Sequence, residues 1–165
     1  MGVILPTCDE VRKISKTGNI GLLATESTVN SNFYKENLSD MKVNQMPCSH
    51  WVNLIEDLSY NTTEGLSIIR NDLNEFLEKN SDIDTLILGC THFGILEDIV
   101  NDETPKFVKI INQGKVMSKV LPQIIGQSSN NGTTKYYTTE SSKEFDEEYK
   151  ILFGGTIKSE TVYLT

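Results

Sequence analysis

The sequence has no apolar run long enough to span a bilayer and no charged N-terminal stretch leading into an apolar one, so neither a membrane span nor a secretory leader is expected. Cysteine is scarce. Cys8, Cys48 and Cys90 are odd in number and widely spaced, a poor disulfide framework that leaves each as a free thiol, a ligand or a nucleophile. Basic residues are short too: 15 Lys and Arg against 23 Asp and Glu give a net charge of -8, and the lysines do not cluster. Phosphate binding needs a basic surface, so nucleic acid and anionic membranes are excluded as expected partners. The glycines form neither a G-x-G-x-x-G nor a phosphate-loop pattern, which leaves nucleotide binding without support. No internal repeat is present. A cytoplasmic location is the expectation.

What is present suits a soluble α/β protein. At 165 residues, 38% apolar and 23% charged, the chain can build one sizeable core or a modest core with a smaller unit attached. Met1 to Pro6 is apolar and ends at a proline, which predicts an extended piece or turn. Thr7-Cys8-Asp9-Glu10 has a capping-box pattern and predicts a short helix to about Lys16, stopped by Gly18 and Asn19. Ile20 to Ala24 has the length of a buried strand and gives way to Thr25-Glu26-Ser27-Thr28, with a helix predicted over Asn32 to Leu38. Met41 to Met46 predicts another extended segment, followed by a short apolar stretch to Glu56. The clearest helix follows Thr62-Thr63-Glu64. There Leu66, Ile69, Leu73, Phe76 and Leu77 share a face, with Arg70, Asp72, Glu75 and Glu78 directed away from it.

Leu86 to Leu88 predicts a buried strand and Gly94 to Val100 a helix. Phe107 to Ile111 and Lys115 to Ile125 repeat that order, the latter bent near Pro122. Gly126 to Thr134 is a polar run expected as a solvated loop. Lys135 to Thr138 reads as a strand, a helix is capped near Ser141, and Thr161 to Leu164 reads as a last strand. Alternating strands and helices predict a layered, mainly parallel α/β architecture, in which ligands lie outside the carboxyl ends of the strands.

The stretch Leu86 to Phe93, Leu-Ile-Leu-Gly-Cys-Thr-His-Phe, concentrates the chemistry. A thiol at a strand end, beside turn amides and two residues from an imidazole, can be held as the reactive thiolate. The alternative is a small buried thiol. The company of Gly89, Thr91 and His92 favours the functional reading. Cys48-x-His50 and Cys90-x-His92 together offer two sulfurs and two nitrogens, which suits zinc chemically, although the spacing differs from the common knuckles. Cys8 reads as packing. Thr25, Ser27 and Thr28 suit either ligand binding or helix capping. Glu56 alone reads as a solvated side chain, a histidine orienter or a base. Trp51 and Phe93 read as core or the wall of a binding cleft.

Leu86 to Leu96 closely resembles the second active-site motif of the glutamate racemases, within the aspartate/glutamate racemase superfamily. Asn19 to Tyr34, containing Thr25-x-x-Thr28, Cys48 to Glu56, and Tyr137-Thr138-Thr139 with Val162-Tyr163-Leu164 are similar to further stretches of that family in the same order. The resemblance runs through nearly the whole chain but covers only the family's second half. The earlier Asp-Ser-Gly loop and Cys-Asn-Thr motif have no counterpart here.

The resemblance implies cofactor-independent interconversion of L- and D-glutamate by two-cysteine proton transfer, with no metal, supplying D-glutamate for peptidoglycan precursors. One thiolate removes the Cα proton and a thiol on the opposite face returns one. Carried over by position, Cys90 is the base and acid for one face, and Thr91 and His92 bind substrate, His92 also assisting Cys90. Glu56 supports the histidine, and Thr25 and Thr28 line the site. The opposite cysteine is not encoded, and Ser49-His50-Trp51 departs from the family's usual Pro, apolar residue and Phe. The expectation is therefore residues 1–112 as a racemase second α/β domain and residues 113–165 as a segment completing an absent first domain. Such a chain would hold one catalytic cysteine and be inactive alone, its partners being glutamate or a related acidic amino acid and either a first-half chain or a second copy. A non-catalytic amino-acid-binding or partner-binding module of the same fold is the alternative, and a zinc site from Cys48, His50, Cys90 and His92 is a third.

Overall fold

A computed structural model describes residues 2–125 and 133–164. The loop expected over Gly126 to Thr134 lies largely outside them. Two compact units divide the chain, Met1–Ile124 and Ile125–Thr165.

The first unit is built on a four-stranded sheet of β1 (Asn19–Ala24), β2 (Lys42–Pro47), β3 (Thr85–Leu88) and β4 (Lys109–Asn112). The strands are all parallel in the order β2-β1-β3-β4. This is the mainly parallel α/β architecture expected from the alternation. Period-two alternation splits the core between the two faces. Ile20, Leu22, Ala24, Ile87 and Ile111 pack with Cys8 and Val11 of α1 (Ile4–Ile14), Tyr34 of α3 (Phe33–Asn37) and Val116 of α7 (Gln113–Ile125). Leu23, Leu86 and Leu88 pack on the other face. Their partners include Trp51 and Ile55 of α4 (His50–Glu56), Ile69, Leu73 and Phe76 of α5 (Thr63–Lys79), and Val100 of α6 (Glu97–Glu103). Each fully buried Val, Leu, Ile or Phe among them contributes about 1.5–3 kcal/mol relative to its exposed state.

α5 forms where its apolar period requires. Thr62 caps it by accepting the Gly65 amide at 3.1 Å, a bond worth about 1 kcal/mol. α1 begins earlier than the capping pattern implies. Pro6 lies in its first turn, where a missing N–H loses no helical bond, so the proline extends the helix back to Ile4. The Thr7 hydroxyl, the cap that the sequence pattern implies, instead donates to the Val3 carbonyl at 2.8 Å. α2 (Glu26–Asn30) and α4 are helices that the residue pattern does not predict. The region from Gly94 divides into a 3-10 turn, His92–Leu96, and α6.

At the amino edge of the sheet, Asp84 ties β3 to the α1–β1 turn. Burial opposes its ionisation. Hydrogen bonds from the Ser15 hydroxyl, the Thr17 and Lys16 amides and the Thr85 hydroxyl outweigh that, and hold its pKa at about 2. The unfolded chain therefore binds the extra proton between its ordinary value of 3.8 and about 2, so this contribution is complete above 3.8 and disappears as pH falls through 2. Asp84→Asn is expected to flatten the urea midpoint over that window relative to the parent; parallel acid limbs would contradict the assignment.

The second unit contains β5 (Tyr136–Thr138), α8 (Ser142–Phe153) and β6 (Ser159–Thr161), the two strands pairing in parallel. β6 precedes the expected Thr161 to Leu164. Asp146 accepts the Ser159 amide at 3.0 Å and the Ser159 hydroxyl donates to the Ser142 carbonyl at 3.2 Å, which fixes the pairing earlier. α8 has no buried residue, and Tyr137, Ile151, Phe153, Tyr163 and Leu164 are exposed.

Candidate active site

Strand order places the site. From β1 the chain passes to β2 on one side and then crosses to β3 on the other, so its direction of progression reverses between β1 and β3. In open parallel sheets the crevice outside the carboxyl ends of the strands at such a reversal accepts ligands. β1 ends there at Ala24 and continues into Thr25, while β3 ends at Leu88 and continues through Gly89 into Cys90. Gly89 donates its amide to the Leu23 carbonyl at 2.8 Å, and Cys48 donates to the Ala24 carbonyl at 2.7 Å, which locks all three strand ends together.

Cys90 is half-buried, whereas Cys8 and Cys48 are buried. Its Sγ lies 3.7 Å from Nδ1 of His92, and Nε2 of the same ring lies 3.5 Å from Oε1 of Glu56 at the end of α4. With Nε2 protonated toward the carboxylate, Nδ1 would be left as acceptor for the thiol proton, a geometry that suits proton transfer between Cys90 and His92. The Glu56–His92 pair is solvent-exposed, so it adds little to stability. Thr91 is exposed beside them.

One strand across, Thr25 caps α2. Its Oγ1 accepts the Thr28 amide at 3.4 Å and lies 3.1 Å from the Thr28 hydroxyl. The capping alternative is thus realised, and both hydroxyls remain half-buried at the same sheet edge. Ser27 is exposed on α2, and Ser49 accepts the Glu26 amide at 2.8 Å.

The zinc alternative is overturned. Cys48 lies fully buried in the core, where burial and the neighbouring Asp72 carboxylate push its thiol up to about 12. His50 faces Asp72 rather than Cys90 or His92, at 2.6 Å from Nε2 to Oδ2. No group of three or more His, Cys, Asp or Glu is placed to hold a metal ion among the described residues. Asp72 itself departs from the sequence expectation. The helical period directs it to the outward face of α5, yet it turns toward α4 and also accepts the Trp51 indole N–H at 2.8 Å.

Sequence reasoning also passed over Asn112 and Glu97. Asn112 Oδ1 accepts the Gly114 amide at 2.9 Å, and its Nδ2 donates to Glu97 at 2.8 Å and to the Gly94 carbonyl at 3.4 Å. Lys115 pairs with Glu97 at 2.8 Å. These bonds brace the turn that carries His92. The available signal was an asparagine closing a strand just before a helix.

Fold and site define an open parallel α/β protein whose acid–base side chains stand at the carboxyl edge of its sheet. No protein-family model matches the chain. Curated glutamate racemases do: that of Persephonella marina is 31% identical over 170 residues, covering 100% of this chain and 64% of the relative. That of a Carnobacterium species is 32% identical over 157 residues, covering 88% of this chain and 58% of the relative. Among solved structures, glutamate racemase RacE1 of Bacillus anthracis superposes with a TM-score of 0.84 at 29% identity, covering 99% of this chain and 64% of that one. The Francisella tularensis enzyme in complex with D-glutamate has the same fold, with a TM-score of 0.78 at 24% identity and 98% and 62% coverage. The chain resembles the second half of a glutamate racemase, and it spans less than two thirds of the length of these relatives. No helix among the described residues is long and apolar enough to cross a membrane.

Proposed function

We propose that the chain provides one face of a cofactor-independent glutamate racemase site. The observation that carries this is the Cys90–His92–Glu56 series at the sheet's reversal point. His92 accepts the thiol proton, and the Cys90 thiolate takes the Cα proton of a bound acidic amino acid, leaving the electron pair on Cα. The proton returns from the Cys90 thiol on the same face. Inversion needs an acid on the opposite face, and neither buried cysteine can serve: Cys8 is 1% and Cys48 0% exposed. Thr25, Thr28 and Thr91 supply hydroxyls for the substrate's polar ends. The D-glutamate bound in the Francisella tularensis structure supports an acidic amino acid as the ligand.

The chain alone would then exchange the α-proton of glutamate slowly and not racemise it. Completion falls to a chain bearing the missing first-half motifs, with residues 113–165 forming the segment that receives it and peptidoglycan precursor supply, in the cytoplasm, as the role. The exposed apolar side chains of the second unit favour this. Proton NMR in deuterated buffer, together with chiral chromatography, tests it with and without a first-half polypeptide of a complete racemase. Deuterium exchange with retained configuration is expected for the chain alone and racemisation for the pair. Racemisation by the chain alone, abolished in Cys90→Ala, would refute the one-face reading. The buried state of both other thiols also favours a second reading, a module that binds an acidic amino acid without turnover; binding without any exchange would establish it.

A further inference from the structure

α4 has only seven residues, too few to persist through its own hydrogen bonds, so packing must fix its position. Two contacts at its amino end do so, and both converge on one carboxylate oxygen of α5. Asp72 Oδ2 accepts the Trp51 indole N–H at 2.8 Å and lies 2.6 Å from His50 Nε2. Trp51 is 0% exposed, and a buried indole N–H needs an acceptor. The indole ring rests on Phe93 with centroids 5.2 Å apart, directly after His92 in the chain. At the far end of the same helix, Glu56 faces His92.

We infer that Asp72 is a positioning residue for the candidate acid–base series: held by Trp51 and His50, α4 presents Glu56 to His92 while the indole steadies the turn that carries the imidazole. This rests on the proposed Cys90–His92–Glu56 series and extends it, because Asp72 touches none of its members yet reaches the imidazole by two routes. One runs through Trp51 and Phe93, the other along α4 to Glu56. The titratable groups around the junction are His50 and Glu56 on α4, Asp72 on α5, the buried Cys48 thiol, and Cys90 and His92 on the β3 turn. A carboxylate at position 72 lies three residues after Ile69 and four before Phe76, on the flank of a buried face, where burial disfavours charge without partners.

The test is the pH profile of Cys90 alkylation by iodoacetamide on the full chain, since the thiolate is the reacting form. Four variants are compared with the parent: Glu56→Gln, Asp72→Leu, Asp72→Asn and His50→Gln. Asp72→Leu is expected to raise the midpoint in the same direction as Glu56→Gln and slow alkylation about three-fold at pH 7, as follows from a shift of about half a pH unit. Asp72→Asn, which keeps an acceptor for the indole, is expected to restore most of the rate. If Asp72→Leu melts at lower temperature but keeps the parent midpoint, Asp72 only satisfies a buried indole and the inference fails while the series stands. If Glu56→Gln also leaves the midpoint unmoved, the series and the inference fall together. Should Asp72→Leu not fold, His50→Gln is expected to show a smaller shift of the same sign, and an unshifted profile there overturns the proposal.

Discussion

Gly89→Ala is expected to cost about 3 kcal/mol of stability, because steric overpacking beside a strand pair has little room to relax. A Cβ built at Gly89 would stand 2.5 Å from Leu22 Cδ1, 3.0 Å from Ala24 Cβ and 3.2 Å from the Leu23 carbonyl oxygen. The leucine tip can turn aside, but the alanine carbon and the backbone oxygen cannot. Relief therefore requires β3 to move away from β1 where Gly89 donates to Leu23. Cys90 follows at once, so the same substitution is expected to alter the environment of the thiol. A thermal melt should show a midpoint lower by roughly 10 °C for a chain of this size. Gly154→Ala is the control, since its left-handed φ of 71° carries a backbone cost but no atom lies within 4 Å of a new Cβ. A loss at Gly89 no larger than at Gly154 would show that the strand ends are not closely apposed.

Alkylation of the folded protein with iodoacetate at pH 8 is expected to add one carboxymethyl group, and three after unfolding. Cys8 and Cys48 are buried, and that burial pushes their thiols up to about 11 and about 12 respectively. At pH 8 their thiolate fractions are then on the order of one in a thousand and one in ten thousand. Cys90 is the half-buried thiol. Cys90→Ala is expected to abolish labelling of the native state altogether, read by intact-mass spectrometry. Persistent labelling in that variant would mean that one of the buried thiols opens to solvent, and the assignment of a single working cysteine would fail.

Much of the architecture was readable from residue pattern because the forces that set it are local or periodic. The apolar period of α5, the buried run of β3 and the hydroxyl at Thr62 all act within a few residues of where they stand. The expected limits failed where a second influence was hidden. By pattern Pro6 ends an extended segment, yet a proline in the first helical turn gives up no bond, and α1 starts before it. β6 was displaced by Asp146 and Ser142, residues that bond Ser159 from α8. The site divided in the same way. Cys90 and His92 are neighbours in sequence, and Glu56 came by resemblance. Asp72 is 22 residues from His50, and on a helical wheel it looked outward. Only the packing of α4 against α5 gives it partners. The same packing turns His50 to Asp72, so the two Cys-x-His pairs do not come together as a set of metal ligands, which removes the zinc alternative despite suitable chemistry.

Trp51 is the single tryptophan of the chain and is fully buried against Phe93. Its placement means that one optical signal comes from the site itself, undiluted by other indoles. The shielded ring should emit in the blue, with a carboxylate at its N–H and the turn bearing His92 beside its face. The proposed binding of an acidic amino acid at the strand ends can thus be tested by fluorescence titration of the unlabelled protein. Loss of tertiary structure will register in the same channel as a red shift, so occupancy and integrity of the site can be read from one cuvette.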